Sequence, residues 1–470
     1  MFQRQKHKGL LYYIKTVFYV SIMIVGIFYL YRNKTPEKYF DAEKILSESI
    51  LQNKTFATEI KEIETKNVKA YLMEEHSNPI VSLNFKFKNA GYAHDEKGKF
   101  GLANIASDLI IEGAGKYNEQ ALKDLMEENG IKIGFGASRD DFFGSMITPK
   151  ENFKTAVALL KQIMYSPHLP EKQLAIIKAQ NLKSLDLQNE NPNSVLSLKA
   201  AENIYGEHPY ARNPAGKKED IITITADDIR AYLKNIFVKQ NLIIGLSGDI
   251  TEEESLQLLN NIFATLPAEN NNQPLIKFEY ESKGEELNIE REIPQVIATF
   301  SAKGVYRNDK DFYPLYLANY ILGESGLTSR LNKVIREENG LTYGIYTTLT
   351  YSDAAALIRG GFSADYNNYE KAKNLFLEEW QKMAKIGISA EELKKAKKSL
   401  IDSFNLRFAD ISVVSDILLA MQEYNLGLDF LQKRNDYIKN ITLEEVNEAA
   451  TRYFSVAPDF VTIGKERKKD

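Results

Sequence analysis

The sequence feature that most constrains the fold is an internal repeat that covers most of the chain. The segment MEENGI at 126–131 parallels REENGL at 336–341, and each ends a predicted helix and opens a predicted strand. Near the end of each half, ITADDI at 224–229 parallels ITLEEV at 441–446, and a phenylalanine follows each at the same spacing. The second copy follows the first by 210 residues (126 to 336) and by 217 residues (224 to 441). This period is too long for a solenoid repeat. We therefore predict two tandem homologous domains that mix helices and strands.

Chain length and composition agree with two globular domains. A chain of 470 residues exceeds what one hydrophobic core normally holds. The polar segment 268–274 has no apolar periodicity, so we place a linker at 268–284, between an N-terminal domain at 65–267 and a C-terminal domain at 285–470. The net charge of -4 disfavours a nucleic-acid binder, and the lack of cysteine excludes thiolate metal sites.

Apolar periodicity predicts the same kinds of element in both halves, which gives an α+β class. We expect each domain to hold a mostly antiparallel sheet covered by helices, and the two domains to face each other across a cleft. The first half has predicted strands at 68–73, 80–87, 131–138, 142–147 and 241–247, and helices at 102–111, 117–128, from 150, 172–187 and 226–236. The second has strands at 285–290, 295–301, 343–350 and 355–363, and helices at 311–322, 327–338, 368–385, 389–405 and 411–436.

The N-terminus predicts a membrane anchor. Residues 10–31 are apolar apart from Lys15 and are long enough to span a bilayer, which takes about 20 residues. A cleaved signal peptide is the rival interpretation, but the run ends in bulky residues with no small-residue cleavage site. We expect a cytoplasmic segment at 1–9, an uncleaved transmembrane signal anchor at 10–31 and a stalk at 32–64. The domains would then lie across the membrane from the cytoplasmic segment.

The stretch 323–346 (GESGLTSRLNKVIREENGLTYGIY) pairs a cation with a phenol across a helix-to-strand turn. Asn339 and Gly340 suit the end of a helix, because both tolerate the left-handed conformation. Arg336 is placed on the last helical turn and Tyr343 early in the next strand. Taken alone, Arg336 favourably meets the helix dipole and Tyr343 is an ordinary strand aromatic. The repeat carries Met126 and Ile133 in their places.

Several segments in this order resemble the pitrilysin/insulinase family of inverted zinc peptidases and their two-chain bacterial and mitochondrial-processing relatives. The segments that carry the resemblance are GLANIASD, EGAGKYNEQALKDLMEENGIKIG, HPYARNPAG, ITADDIRAYLKNIF, NLIIGLSGDI and SRLNKVIREENGLTYGIY. The resemblance covers residues from about 65 to 465. It implies a peptidase fold built from two similar domains.

The zinc motif that the resemblance implies is substituted here. Catalytic members carry H-x-x-E-H on one helix face, with a further glutamate from a later helix. The corresponding positions are Asn104, Ser107, Asp108 and, counted back from 191, Ser184. None of the five histidines forms a helical pair, so we expect no metal or cofactor on this chain. An oxygen-only site at Asn104 and Asp108 is conceivable, but one amide and one carboxylate suit zinc poorly.

The substrate side of the machinery is retained. The resemblance implies that Arg336 and Tyr343 donate hydrogen bonds toward a scissile carbonyl, as catalytic residues, and that Gly323 and Gly326 belong to a substrate-binding glycine loop, although they could equally form a plain turn. We therefore predict a non-catalytic subunit of a heteromeric zinc metalloendopeptidase. Its partner would be a related chain that binds zinc, and its substrate an unfolded peptide bound at a sheet edge.

Two alternatives remain at this point. A catalytically silent peptide-binding or scaffold protein of a membrane complex fits the missing ligands, but would not need Arg336 and Tyr343. A zinc-independent enzyme has no nucleophile or phosphate-loop pattern in its favour. We interpret His208 as a loop residue that packs against Tyr210, and the lysine run at 394–398 as a solvated helix face.

Overall fold

The structure is a computed structural model that describes residues 59–404, 407–408 and 410–465. The predicted segments 1–9 and 10–31, and the stalk as far as residue 58, lie outside the described residues. Within the described ranges, no helix combines the length and the apolar character needed to cross a membrane.

Alternating apolar side chains build a six-stranded sheet in the first half. Its strands are β1 (Ile60–Thr65), β2 (Val68–Glu74), β3 (Ile80–Phe87), β4 (Lys132–Ala137), β5 (Phe142–Pro149) and β6 (Leu242–Gly248). They lie in the order β1-β2-β6-β3-β5-β4, and every pair is antiparallel except β2 with β6. Because β1 falls within the segment that we assigned to the stalk, the folded part begins earlier than the sequence indicated.

The second half repeats this sheet without the first edge strand. Its strands are β7 (Glu286–Glu290), β8 (Gln295–Lys303), β9 (Ile345–Tyr351), β10 (Ala356–Asp365) and β11 (Asp459–Gly464). The order β7-β11-β8-β10-β9, again with its single parallel pair at β7 and β11, matches β2-β6-β3-β5-β4 position by position. The predicted tandem α+β domains with mostly antiparallel sheets are confirmed.

Each half contributes helices that pack on the sheets. In the first half they are α1 (Leu102–Leu109), α2 (Glu119–Glu128), α3 (Phe153–Tyr165), α4 (Glu171–Glu190), α5 (Pro192–Tyr205), α6 (Lys218–Thr223), α7 (Ala226–Ile236) and α8 (Glu252–Ile262). In the second they are α9 (Phe312–Asn319), α10 (Tyr369–Lys385), α11 (Ala390–Phe404), α12 (Ile411–Glu423), α13 (Phe430–Asn440) and α14 (Leu443–Phe454), with π-helices at Tyr320–Glu324 and Asn332–Glu338. The single predicted helix at 411–436 is wrong, because Asn425 and Gly427 adopt positive φ and break it into α12 and α13.

One face of each sheet is covered by a helix from the opposite half. Alternation along β2 sends Ala70 and Leu72 into the core of the first half, and Tyr71 and Met73 against α12. In the same way, α5 packs on β8 and β11 of the second half. The apolar cluster beneath α5 contains Leu196, Ala200, Val461 and Ile463. The halves therefore meet through helices over the centre of the sheets rather than across an open cleft there.

Polar contacts fix the docking of α12 on the first sheet. The hydroxyls of Ser82 and Ser415 lie 2.8 Å apart, and Gln422 donates to the carbonyl of Ile244 at 2.6 Å. Lys86 forms ion pairs with Asp141 of its own half and with Glu423 on α12.

The predicted linker at 268–284 also joins the halves tightly. The amide of Phe278 donates to Ala354, and the Tyr280 hydroxyl donates to Asp459 at 2.7 Å. The linker is therefore packed against the second half rather than a free tether.

Candidate functional site

Helix α1 occupies the position expected for the metal helix, but its polar side chains are committed to protein contacts. The Asn104 amide donates to the carbonyl of Pro214, and the Ser107 hydroxyl is buried and donates to the carbonyl of Asn104 at 2.8 Å. Asp108 is exposed, and desolvation by its neighbours raises its pKa. Ser184 lies exposed on α4. These residues do not fit zinc, because an engaged amide and hydroxyl leave one carboxylate as a ligand.

The start of α1 is held by a buried acid instead of by a metal. Asp95 accepts hydrogen bonds from the amides of Gly101 and Ala103, at 2.8 and 3.1 Å. Burial raises the pKa of Asp95 to about 7, although these amides and Arg212 oppose the shift. Among the described residues, no three acidic or histidine side chains lie close enough together to hold a metal ion.

The second candidate site is built on the helix-to-strand turn that follows α9. The structure confirms that Arg336 lies on the last turn of the helix, which here is the π-helix Asn332–Glu338. The predicted helix start at 327 is wrong, because Gly326–Thr328 forms a separate 3-10 turn and Ser329 is extended. Strand β9 begins at Ile345, so Tyr343 lies on the bend before the strand rather than within it.

Asn332 ties the three parts of this segment together. Its side chain is 3% exposed, and its amide donates to the carbonyls of Gly326 at 3.1 Å and Ile345 at 2.6 Å. Its carbonyl oxygen accepts from the amide of Ile345 at 3.4 Å. One buried side chain therefore connects the glycine turn, the helix and the first residue of β9.

Thr342 holds the bend that presents Tyr343. Its hydroxyl donates to the carbonyl of Ser363 on β10 at 2.8 Å and accepts from the amide of Gly344 at 3.2 Å. Tyr343, between these anchored neighbours, is 88% exposed. The phenol is thus displayed by a fixed backbone.

Arg336 and Tyr343 are available to a ligand. Arg336 is half-buried, and within the described residues neither its guanidinium nor the Tyr343 hydroxyl forms a hydrogen bond or an ion pair. The Asn332 side chain is hydrogen bonded to the backbone of Ile345. Arg336 lies about one helical turn after Asn332, and Tyr343 lies two residues before Ile345. The structure thus places Arg336 at the end of the helix and Tyr343 on the bend before β9.

The two glycines differ in their surroundings. Gly323 is buried, and a Cβ atom there would lie 2.7 Å from the amide nitrogen of Thr347 on β9. Gly326 is exposed, has φ +65°, and has open space where a Cβ would lie. Close packing against β9 therefore accounts for Gly323, whereas Gly326 provides a turn beside the candidate site.

Sequence reasoning missed the residues that support this site. Neither Asn332 nor Thr342 was among the predicted site residues. Arg330 was also missed. It donates two hydrogen bonds to the carboxylate of Glu392, at 2.6 and 2.8 Å, and so fixes the start of the helix. The available signals were a polar residue in the helix, Asn332, and a threonine just before the strand, Thr342.

The interpretation of His208 is confirmed, and that of the lysine run is confirmed in part. The ring of His208 packs edge-on against Tyr210 with centroids 4.9 Å apart, and its Nε2 lies 2.9 Å from the carbonyl of Ile276. Lys394, Lys395 and Lys398 are exposed, opposite the buried residues of the same helix, whereas Lys397 is half-buried and donates to the carbonyls of Lys439 and Ile441.

The duplicated sheets and the substituted helix α1 define the class of the protein: a two-domain zinc-peptidase homologue in which the metal-ligand positions are replaced. Residues 47–217 match the family described as insulinase (peptidase family M16), and residues 223–400 match the family described as peptidase M16 inactive domain. The chain belongs to the M16 peptidase family.

Similar proteins agree with this membership. The non-peptidase homolog YmxG of Helicobacter pylori is 26% identical over 412 residues, which is 87% of this chain and 94% of that protein. The uncharacterized zinc protease YmxG of Bacillus subtilis is 21% identical and covers 67% of this chain and 76% of its own length. A crystal structure of a peptidase M16 inactive domain from Pseudomonas fluorescens superposes with a TM-score of 0.80 at 25% identity, covering 87% of this chain and 99% of that one.

Proposed function

We propose that this chain is the non-catalytic subunit of a heteromeric zinc metalloendopeptidase. The observation that carries the proposal is the pair formed by Arg336 and the 88% exposed Tyr343, kept on a braced turn while the metal-ligand positions are substituted. A related partner chain would hold zinc and the general base. This chain would bind the unfolded peptide and contribute Arg336 and Tyr343.

The chemistry of the pair suits a developing oxyanion. A guanidinium and a phenol both donate hydrogen bonds, and each donor aimed at such an oxygen is worth about 2–4 kcal/mol. Strand β9, which begins two residues after Tyr343, lies at the edge of its sheet. An extended peptide that paired with this edge would pass beside both side chains.

The decisive experiment measures hydrolysis of an unstructured peptide by this chain, by a related chain with intact H-x-x-E-H, and by their mixture. We expect activity that requires both chains. Chelator-sensitive hydrolysis by this chain alone, or a partner whose activity the mixture does not increase, would contradict the proposal.

Substitutions test the roles of the two residues. In the mixture, Arg336→Ala and Tyr343→Phe should each lower kcat about 30- to 1000-fold, while complex formation stays unchanged. Tyr346→Phe is the matched control, because Tyr346 is also an exposed tyrosine but lies within β9. If Tyr343→Phe and Tyr346→Phe lower kcat equally, Tyr343 has no specific catalytic role.

The alternative function is a silent peptide-binding or scaffold subunit of a membrane complex. The name of the Helicobacter pylori relative, a non-peptidase homolog, favours it. In that case, Arg336→Ala would leave the activity of every mixture unchanged while the assembled complex still required this chain.

Residues 10–31 support a membrane location for this subunit. We propose that they are an uncleaved anchor and that the two domains lie on the periplasmic side of the inner membrane. The domains should be digested when protease is added to spheroplasts, and a chain recovered wholly in the soluble fraction would oppose this.

A further inference from the structure

Three arginine side chains converge between α9, α11 and α13 of the second half. Arg434 on α13 and Arg407 lie against the same ring, that of Phe404, with guanidinium carbons 3.8 and 6.0 Å from its centroid. Arg307 lies 5.5 Å from the ring centroid of Phe430, one helical turn before Arg434. Like charges rarely gather in this way without a counterion.

Arg434 is buried without a carboxylate partner. Its side chain is 9% exposed, and its Nη1 donates to the carbonyl of Leu400 at 3.3 Å and to Asn435 Oδ1 at 3.1 Å. Within the described residues, neither Nε nor Nη2 of Arg434 has a hydrogen-bond partner, and none of the three arginines forms an ion pair. Stacking on Phe404 and these two hydrogen bonds compensate the burial of Arg434 only in part, so its positive charge favours an anion beside it.

The neighbouring groups leave a positive excess. Burial, together with repulsion from Arg407 and Arg307, lowers the pKa of Arg434 to about 10, although nearby tyrosines oppose the shift. The carboxylate of Glu324, which accepts a hydrogen bond from Asn319 at 2.8 Å, lies close enough for its charge to raise the pKa of Tyr316. Arg307 and Arg407 thus add positive charge around the buried Arg434.

Tyr316 supplies a further donor. Burial and the charge of Glu324 raise its pKa to about 12, while Arg434 and Arg407 oppose the shift. Its hydroxyl is therefore protonated at neutral pH, and it forms no hydrogen bond within the described part of the chain.

We propose that Arg307, Arg407 and Arg434, with the Tyr316 hydroxyl, form a binding site for a phosphate-type dianion. Guanidinium groups present paired donors that match the oxygens of phosphate. A doubly charged anion balances the excess charge better than a single carboxylate does. The site is separate from Arg336 and Tyr343 and does not depend on the proposed peptidase role.

The test measures binding of inorganic phosphate to the full chain by calorimetry, and its effect on thermal unfolding, against sodium chloride at equal ionic strength. We expect saturable binding and a rise in Tm that sodium chloride does not reproduce. A rise that sodium chloride reproduces in full would overturn the proposal. Acetate that binds as tightly as phosphate would overturn the assignment to a dianion.

Matched variants locate the site. Arg434→Gln should weaken phosphate binding at least tenfold, and Arg407→Gln severalfold. Arg230→Gln should have no effect, because Arg230 is an exposed arginine on α7 of the first half. If Arg434→Gln does not fold, Arg407→Gln still decides, because Arg407 is exposed. Wild-type affinity in Arg407→Gln and in any folded Arg434→Gln would refute the site.

Discussion

Replacing Asn332 by leucine tests whether one buried amide supports both the fold of the second half and the display of Tyr343. Leucine has a similar shape but cannot form the hydrogen bonds to Gly326 and Ile345. The carbonyl of Gly326 is at an exposed residue and can bind water instead, whereas Ile345 is buried. An unsatisfied buried backbone group costs about 1–3 kcal/mol, and both polar groups of Ile345 lose a partner. We therefore expect Asn332→Leu to lower the free energy of unfolding by about 2–4 kcal/mol.

The assay uses a probe that lies in the core of the second half. Trp380 is the single tryptophan of the chain and is fully buried in that core. Its fluorescence during urea denaturation follows the unfolding of the core around it and gives the free energy of unfolding. Asn181→Leu is the matched control, because the Asn181 amide bonds only the carbonyl of Ile177 within α4. That change should stay within about 0.5 kcal/mol of the wild type.

A second readout separates support of the site from general stability. In the mixture with the zinc-bearing chain, Asn332→Leu should lower kcat at a temperature where the variant remains folded, because the turn that carries Arg336 and Tyr343 loses its link to β9. If the unfolding free energy of Asn332→Leu stays within about 0.5 kcal/mol of the wild type, as for an ordinary surface substitution, Asn332 does not support the fold in this way.

Three further predictions concern stability. Gly323→Ala should lower Tm and cost about 1–3 kcal/mol of stability, because its Cβ would meet the backbone of β9. Gly326→Ala has open space but a positive φ, and should cost about 1 kcal/mol. Equal costs would contradict the packing role of Gly323. Hydrogen bonds from Arg330 lower the pKa of Glu392 from 4.5 to about 2. The ionised Glu392 should therefore contribute about 2–3 kcal/mol to the free energy of unfolding above pH 4.5, and this contribution should be lost as the pH falls toward 2. Urea titrations of Glu392→Gln should lack this part of the acid dependence. Lys86→Met should lower the urea midpoint by leaving buried Asp141 without its ion-pair partner, at a cost of about 3–5 kcal/mol, whereas Glu423 keeps Lys88 at 3.5 Å; an unchanged midpoint would oppose this.

Local sequence patterns predicted most of the elements. The strands at 80–87 and 142–147, and the helix at 226–236, follow from alternation, helical period and a capping box, all of which are set by residues close in sequence. The break between α12 and α13 was missed although Asn425 and Gly427 mark it, because the apolar periodicity continues across them. The π-helix at the candidate site was also missed, since the pattern of apolar residues resembles that of an α-helix over so few turns.

The sequence by itself determined the duplication, the α+β class, the replacement of the metal-ligand positions and the retention of Arg336 and Tyr343. These properties depend on residue identity and local spacing. Only the tertiary structure decided that α5 and α12 cross to the opposite sheets, that Asn332 joins the glycine turn to β9, and that Arg307, Arg407 and Arg434 meet. An apolar period shows that a face is buried but not which surface buries it, and polar contacts between residues far apart in sequence leave no local pattern.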